Sequence, residues 1–243
     1  MKTILLDKIS LKIDIEELLK SLHIKKGSKF AHDISNLVSF AVKIARPKAA
    51  YRLSPVECTK DGFILIEGIK MESKIMYMNM NKSQRAFPYI ATCGIELEKW
   101  SGAIKNFQQK FWAENIKMIA LGAAIKAFEQ ELAGRFQPGL TSSMNPGSLD
   151  DWPLQEQHKI FKILGNACDL SGVRLTKNAV MIPSKSVSGI QFLSKEQYYN
   201  CQLCPREKCP TRKVPYDKEI TTRFLVASRM VSTAARVPSR RAS

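Results

Sequence analysis

The spacing of apolar residues changes along this 243-residue chain, and the change restricts the folds open to it. Residues 15–22 and 34–45 carry apolar side chains every three or four positions, which is the period of an amphipathic helix. Between residues 49 and 92, short apolar runs bounded by glycine and charged residues are typical of strands. From residue 97 to residue 132 the helical period returns. This order predicts an α+β domain in which long helices pack on a twisted, mainly antiparallel sheet.

Several element boundaries follow from local chemistry. Arg46 precedes Pro47, and the second helix should end there because a residue before proline is disfavoured in the helical region. Residues 63–66, 74–78 and 87–92 are the predicted strands of the middle region. The first long helix is expected to bury one face, which consists of Leu97, Trp100, Ile104, Phe107 and Phe111.

The second long helix should run to Gly134 or to the glycine and proline at residues 137–139. Asp150 or Asp151 is predicted to cap the helix that follows. Residues 173–182 and 187–193 are predicted to form successive strands. The second long helix is expected to bury Ile116, Ala120, Ala123, Ala124, Phe128 and Leu132.

The composition fits a soluble globular protein with a strongly basic surface. The formal net charge is +16, and 44% of the residues are hydrophobic. No stretch of 18 apolar residues and no signal-peptide pattern occurs, so we expect a cytoplasmic protein without a membrane partner. The charge fits a solvated surface, a docking face for an acidic protein, or nucleic acid. No aromatic and basic pattern of a nucleic-acid-binding module supports the last possibility.

A proline-glycine loop forms the first candidate binding site. It consists of Asn145, Pro146, Gly147 and Ser148, and it leads into a predicted helix. Proline fixes its own backbone, glycine permits positive φ, and the helix would offer free N–H groups to a carboxylate or another anion. The same composition is also found in ordinary helix-entry turns, so the loop alone leaves both interpretations open.

A strand with alternating hydroxyl groups forms the second candidate site. Period-two alternation places Ser184, Ser186 and Ser188 on one face, next to Lys185. Gly189 would allow another backbone or a planar group to approach closely. The alternative interpretation is a solvated end of a strand.

A cysteine cluster forms the third candidate site. Cys201, Cys204 and Cys209 have C-x2-C-x4-C spacing, with proline after the second and third cysteines. Three clustered thiolates suit an iron–sulfur cluster or zinc, although no fourth ligand is adjacent. Free or redox-active thiols are the alternative. We assign residues 201–216 to this cysteine-rich segment and residues 217–243 to a basic, partly disordered tail.

Several phrases match one known family in order and spacing. The chain resembles the activation (reactivation) domain of cobalamin-dependent methionine synthase, and residues 91–98 look like a helix entry of its short, stand-alone members. The resemblance spans roughly residues 35 to 200, and we assign residues 1–200 to a domain of this kind. The matching phrases are residues 145–148, 152–157, 160–164, 172–176 and 181–190.

The resemblance implies a function. Members of that family bind S-adenosylmethionine and present it to a corrinoid on a partner domain, which is the step that reactivates oxidised cobalamin. It therefore implies that this chain supports reductive methylation of cobalt on a corrinoid-carrying partner, with a possible electron donor. The corrinoid would carry the chemistry, and the protein would orient the reactants. The implied ligand-binding residues are the 145–148 loop, Lys185, Ser186, Ser188 and Gly189, with Tyr198 and Tyr199 matching the family's paired tyrosines.

The chain departs from the family pattern at two positions. Ser143 and Ser148 stand where full methionine synthases have an arginine and an aromatic residue. Arg135 or Lys185 could supply the missing positive charge. The departure supports a second hypothesis, in which the chain is an iron–sulfur electron-transfer protein or docking factor for a corrinoid protein and no longer binds S-adenosylmethionine.

Overall fold

The computed structural model describes residues 2–137, 139–194, 199–208, 212 and 214–222. Tyr198, Cys209 and residues 223–243 therefore lie outside the described residues. Within the described part, no helix is long and apolar enough to cross a membrane. The helices are α1 (Ile15–Ser21), α2 (Lys29–Ile44), α3 (Lys74–Met80), α4 (Ile95–Ala103), α5 (Phe107–Phe136), α6 (Gln157–Leu164), α7 (Ala167–Ser171) and α8 (Asn200–Leu203). The strands are β1 (Ile4–Leu6), β2 (Lys48–Tyr51), β3 (Ser54–Cys58), β4 (Ile64–Ile66), β5 (Ile69–Met71), β6 (Arg85–Thr92), β7 (Thr141–Met144), β8 (Arg174–Leu175), β9 (Met181–Ile182) and β10 (Ser186–Leu193).

The main sheet is built around β6. Strand β6 pairs with β2, β3 and β10, and every strand pair in the sheet is antiparallel. Strand β10 pairs with β6 from Ser186 opposite Thr92 to Phe192 opposite Ala86. The short strand β7 then pairs with the second half of β10, where Ile190 lies opposite Met144. The predicted α+β fold with a mainly antiparallel sheet is confirmed.

Helices cover both faces of this sheet. On one face, Ile190 and Phe192 belong to a core that includes Trp152 and Ile160 near and within α6. On the other face, α5 packs against the sheet, with Phe128 in a core shared with Phe87 and Tyr89 of β6. A third core joins α1, α2 and α4 to the first half of α5. Because side chains alternate along a strand, neighbouring residues of β10 face different helices.

Helix boundaries agree with the local signals at several places. Helix α2 ends at Ile44, just before the Arg46–Pro47 pair, and begins after Ser28, whose side chain accepts a hydrogen bond from the Ala31 N–H. Helix α5 continues past Gly134 and ends at Phe136, where Gln137 adopts a left-handed conformation with φ of 41°.

The prediction that residues 74–78 form a strand is wrong, because they belong to α3. Ser73 caps this helix and accepts a hydrogen bond from the Met76 N–H at 2.9 Å. Asp151 adds a second cap, since its carboxylate accepts hydrogen bonds from the N–H groups of Lys74 at 3.3 Å and Ile75 at 3.0 Å. The predicted cap residue Asp151 thus serves a helix far away in sequence, and capping stabilises a helix where the apolar pattern indicated a strand.

Two further boundaries differ from the prediction. The first long helix ends at Ala103, and α5 begins at Phe107 after the N-cap Asn106, so the apolar face predicted across this point is broken. Phe107 is consequently 87% exposed and Phe111 56% exposed. The predicted strand at residues 173–182 is reduced to the two-residue strands β8 and β9, which pair with each other.

Candidate functional site

A groove with a volume of about 1100 Å³ runs between α5 and the part of the sheet formed by β7 and β10. Phe128, Glu129 and Leu132 of α5 line one side, and Val187 and Gln191 of β10 line the other. The loop after β7 and the start of α8 complete the lining. With Tyr89 of β6, the described lining comes from five segments of the chain.

The base of the groove is an aromatic stack with a buried phenol. The ring of Tyr89 stacks on that of Phe128, with 4.6 Å between centroids and 21° between planes. The Tyr89 hydroxyl forms a hydrogen bond with Ser143 Oγ at 3.1 Å and accepts one from Asn145 Nδ2 at 3.0 Å. Burial raises the pKa of Tyr89 despite these hydrogen bonds, so the phenol stays neutral at physiological pH.

Asn145 connects the segments that line the groove. Its Nδ2 also donates to the Ser188 carbonyl of β10 at 2.9 Å, and its Oδ1 accepts from Asn200 Nδ2 at 3.3 Å. Ser143 forms a parallel bridge with Tyr199, which brings the start of α8 beside β7. One amide side chain thus ties β7, β10 and α8 to Tyr89 of β6.

Gly189 is required for this arrangement. A Cβ atom at Gly189 would lie 2.4 Å from Asn145 Nδ2, 2.7 Å from the Met144 carbonyl oxygen and 2.9 Å from Tyr89 Cε1. The Met144 oxygen is backbone and part of the β7–β10 pairing, so it cannot move away cheaply. The close backbone approach predicted at Gly189 is therefore present in the structure.

The proline-glycine loop closes on itself at the end of the groove. The Gly147 N–H donates to the Trp152 carbonyl at 2.8 Å, and the Ser148 N–H donates to the Asn145 carbonyl at 3.1 Å. Gly147 has φ of 78°, which glycine adopts without strain. Pro146 is buried, whereas Ser148 is exposed and lines the groove together with Asn145.

The hydroxyls of the second predicted site are directed elsewhere. Ser188 Oγ lies on the side of the sheet that α6 covers and donates to Gln157 Oε1 at 3.0 Å. Ser186 Oγ forms a hydrogen bond with Thr92 Oγ1 at 2.8 Å. Neither residue is among the described residues that line the groove, because even positions of β10 face away from α5. Asn145, Ser148 and Tyr199 are brought together in the groove, whereas Ser186 and Ser188 are not.

Lys185 belongs to a charged cluster that the sequence analysis did not detect. Its Nζ lies 3.2 Å from Glu114 Oε2. The centre of the cluster is Lys117, whose side chain is 2% exposed and whose Nζ lies 2.7 Å from both Glu98 and Glu114. Ser184 Oγ donates to Glu98 Oε2 at 3.0 Å, which ties the segment before β10 to α4. The glutamate three residues before a lysine, inside an apolar helix, was the available signal for this cluster.

Opposite charges set the protonation of this cluster. Burial alone would raise the pKa of Glu98 and Glu114, but the hydrogen bond and charge of Lys117 outweigh it, and both pKa values lie below their ordinary value. Burial would likewise lower the pKa of Lys117, and its two carboxylate partners raise it instead. All three groups are therefore ionised near neutral pH.

The cysteine-rich segment borders the groove. Cys201 is one of the lining residues. The Arg212 guanidinium donates to the carbonyl oxygens of Cys201 at 3.0 Å and Cys204 at 3.2 Å, which fixes the path of this loop. The described residues contain no group of three or more histidines, cysteines or acids placed to hold a metal ion. Cys209 lies outside them, so the three-cysteine metal site stays a prediction.

Tyr89, Glu129 and Asn200 are polar residues of the groove that the sequence analysis did not predict. Tyr89 lies within a buried strand, Glu129 lies on a helix surface, and Asn200 follows the tyrosine pair without a motif of its own. Asn200 Oδ1 is buried and has no hydrogen-bond partner in the described part of the chain. An unsatisfied buried acceptor costs about 1–3 kcal/mol, so this oxygen marks a place where a ligand donor would be stabilising.

Comparison with known proteins identifies the fold. No protein family and no curated protein matches the chain. Among solved structures, the chain is similar to the crystal structure of the MetH reactivation domain bound to AdoHcy, with a TM-score of 0.60. The chain has the fold of the MetH reactivation domain. The match covers 82% of this chain and 81% of the MetH reactivation domain at 14% sequence identity, so it shows the shared architecture.

Proposed function

We propose that this chain is a reactivation module for a corrinoid-carrying methyltransferase. In this proposal the groove binds S-adenosylmethionine and directs its methyl group towards cobalt on the partner. An external donor supplies one electron to cob(II)alamin, and the resulting cobalt(I) takes the methyl group from the sulfonium, giving methylcobalamin and S-adenosylhomocysteine. The chain supplies binding and orientation, and the corrinoid remains on the partner.

The convergence of the Asn145 loop, Tyr199 and α5 on one groove carries this proposal. The MetH reactivation domain, whose fold the chain shares, was crystallised with AdoHcy. The groove offers an aromatic base at Tyr89 and Phe128 and a buried acceptor at Asn200 Oδ1. Its volume of about 1100 Å³ exceeds what one nucleoside occupies, which leaves room for a second reactant at the open side.

Ligand binding can be tested by calorimetry. S-adenosylmethionine should bind the intact chain, and Tyr199→Ala should weaken binding at least about fivefold if the ring covers the ligand, because base–aromatic stacking contributes about 1–3 kcal/mol. Tyr216→Ala is the matched control, since Tyr216 is 41% exposed and is not among the groove's described lining residues. Equal affinities for the two variants would contradict placement of the ligand beside Tyr199.

Reactivation itself requires a corrinoid substrate. The corrinoid-binding domain of a cobalamin-dependent methionine synthase, poised as cob(II)alamin with a chemical reductant, serves as the probe. Adding the chain and S-adenosylmethionine should convert the cob(II)alamin absorption spectrum into that of methylcobalamin. Conversion at the same rate without the chain would refute the proposed function.

A second candidate is an iron–sulfur electron carrier for the same partner. Its support is the position of Cys201 in the groove lining, where a cluster held by Cys201, Cys204 and Cys209 would lie beside the reacting cobalt. Residue 143 is a serine, hydrogen-bonded to the Tyr89 hydroxyl, where full methionine synthases have an arginine. The loss of this positive charge also fits a chain that no longer binds S-adenosylmethionine. Iron analysis and an absorption spectrum of anaerobically purified protein decide it, and a preparation without iron or charge-transfer absorption rules it out.

A further inference from the structure

The described lining of the groove carries a charge opposite to that of the whole chain. The chain carries a formal net charge of +16. Of the described residues that line the groove, only Glu129 carries a formal charge, and it is an acid. No ion pair or hydrogen bond occupies the Glu129 carboxylate within the described part of the structure. Although the protein is strongly basic, the described residues that line the groove therefore include no cation and one carboxylate.

The two residues that could replace the missing arginine are engaged elsewhere. Arg135 Nε lies 2.8 Å from Glu131 Oε1, one turn earlier on α5. Lys185 Nζ lies 3.2 Å from Glu114 in the buried cluster. Ser143, at the position of the family's arginine, forms its hydrogen bond with Tyr89. A ligand carboxylate would thus meet hydroxyl groups but no described cation in this groove.

The remaining unsatisfied group in the groove is also an acceptor. Asn200 uses its Nδ2 to donate to Asn145 Oδ1, which fixes the orientation of the amide and leaves Oδ1 without a partner in the described part of the chain. A carboxylate and a free amide oxygen both favour N–H donors and positive charge. Neither would stabilise an anionic group.

We infer that the groove selects a positively charged nucleoside through Glu129 and Asn200, and that it does not hold the ligand by its carboxylate. This inference rests on the proposed function, because it specifies how the same groove recognises its ligand. The sulfonium of S-adenosylmethionine and its ammonium group are the cationic features that Glu129 would attract. The adenine amino group, the ammonium group and the ribose hydroxyls are the donors of the ligand that could bond to Asn200 Oδ1.

Three ligands that differ in charge test the inference by calorimetry on the intact chain. S-adenosylhomocysteine lacks the sulfonium charge, and decarboxylated S-adenosylmethionine lacks the carboxylate. Decarboxylated S-adenosylmethionine should bind at least as tightly as S-adenosylmethionine, and S-adenosylhomocysteine should bind about two- to fivefold more weakly, as expected for one partly exposed charge pair. The differences should shrink as salt is added, because salt screens exposed charges.

Matched variants distinguish the effect of the Glu129 carboxylate from the effect of changing the net charge of the protein. Glu129→Gln should abolish the preference for the sulfonium, and Glu57→Gln, which makes the same charge change at an exposed position on β3, should preserve it. Asn200→Leu should weaken the binding of all three ligands, since each of them carries adenine. If decarboxylation weakens binding several-fold and Glu129→Gln changes nothing, a cation holds the carboxylate and only this inference fails. If none of the three ligands binds the intact chain, the proposed S-adenosylmethionine site fails as well.

Discussion

Two polar regions beside opposite halves of α5 differ in how fully their buried polar groups are paired. Around Lys117, the ammonium has two carboxylates and two serine hydroxyls within hydrogen-bonding distance. Around Asn145 in the groove, the amides and hydroxyls form a chain of hydrogen bonds that ends at Asn200 Oδ1, which has no partner among the described residues. Among the described residues, every polar group of the first region has a partner, whereas the second region lacks a donor for Asn200 Oδ1. We therefore expect the first to govern stability and the second to govern binding.

The largest expected effect is the loss of the buried ammonium. Lys117→Met leaves the partly buried Glu98 carboxylate without its ammonium partner and leaves Glu114 with Lys185 alone. Removing one partner of a buried ion pair typically costs about 3–5 kcal/mol. The free energy of unfolding from urea titration measures the change. Lys126→Met on the exposed side of the same helix is the control and should change stability by less than about 0.5 kcal/mol. A Lys117→Met protein as stable as the parent would show that the cluster does not stabilise the fold.

A pair of glycine substitutions tests the close packing at the groove. Gly189→Ala places a methyl group 2.7 Å from the Met144 carbonyl, and overpacking of this kind costs about 1–3 kcal/mol. Gly122→Ala, in the middle of α5, meets nothing within 4 Å and should stabilise the protein by about 0.5–1 kcal/mol through helix propensity. Thermal unfolding of both variants measures these changes, and the melting temperature should fall for Gly189→Ala and rise for Gly122→Ala. Stabilisation by Gly189→Ala would mean that β7 and β10 separate without cost.

Acid should weaken the charged cluster while leaving the amide network unchanged. The folded-state pKa values of Glu98 and Glu114 lie below their ordinary value of 4.5, so below that pH the unfolded chain binds more protons than the folded chain. This contribution to stability is complete above pH 4.5 and is lost as the pH falls through the folded pKa values, with a slope on the order of 1 kcal/mol per pH unit.

The contribution of Glu98 to this pH dependence should change sign when Lys117 is removed. In Lys117→Met, Glu98 loses the ammonium that lowers its pKa, so burial should raise the pKa of Glu98, whereas Lys185 still lowers that of Glu114. The difference in stability between the parent and Lys117→Met should therefore narrow between pH 6 and pH 4. Chemical unfolding at several pH values measures it, and a constant difference would contradict the assignment of the low pKa values to Lys117.

The sequence predicted those parts of the molecule that local chemistry determines. The helical period located α2 and the second half of α5, because a buried stripe and a capping residue lie within one segment. Residues 74–78 were wrongly predicted because Asp151, more than 70 positions away, caps that helix. In the groove, the resemblance indicated Asn145 and Tyr199. Glu129 was not predicted, since a glutamate on a helix surface has no local feature that distinguishes a groove from solvent.

The smallest change in the free energy of unfolding is expected at Asn200 in the groove. This variant tests most directly whether the groove differs from the Lys117 cluster. Asn200→Leu removes an acceptor that has no partner in the described structure together with one long hydrogen bond of 3.3 Å to Asn145. Relief of the unsatisfied oxygen offsets the lost hydrogen bond, so the free energy of unfolding should change by less than about 1 kcal/mol or increase. Binding of S-adenosylmethionine should weaken in the same variant, because groups retained for a ligand often reduce stability. Urea unfolding and calorimetry on one preparation measure both quantities. A destabilisation comparable to that of Lys117→Met, with unchanged binding, would show that Asn200 is a structural residue and that the two regions of α5 do not differ in the way proposed.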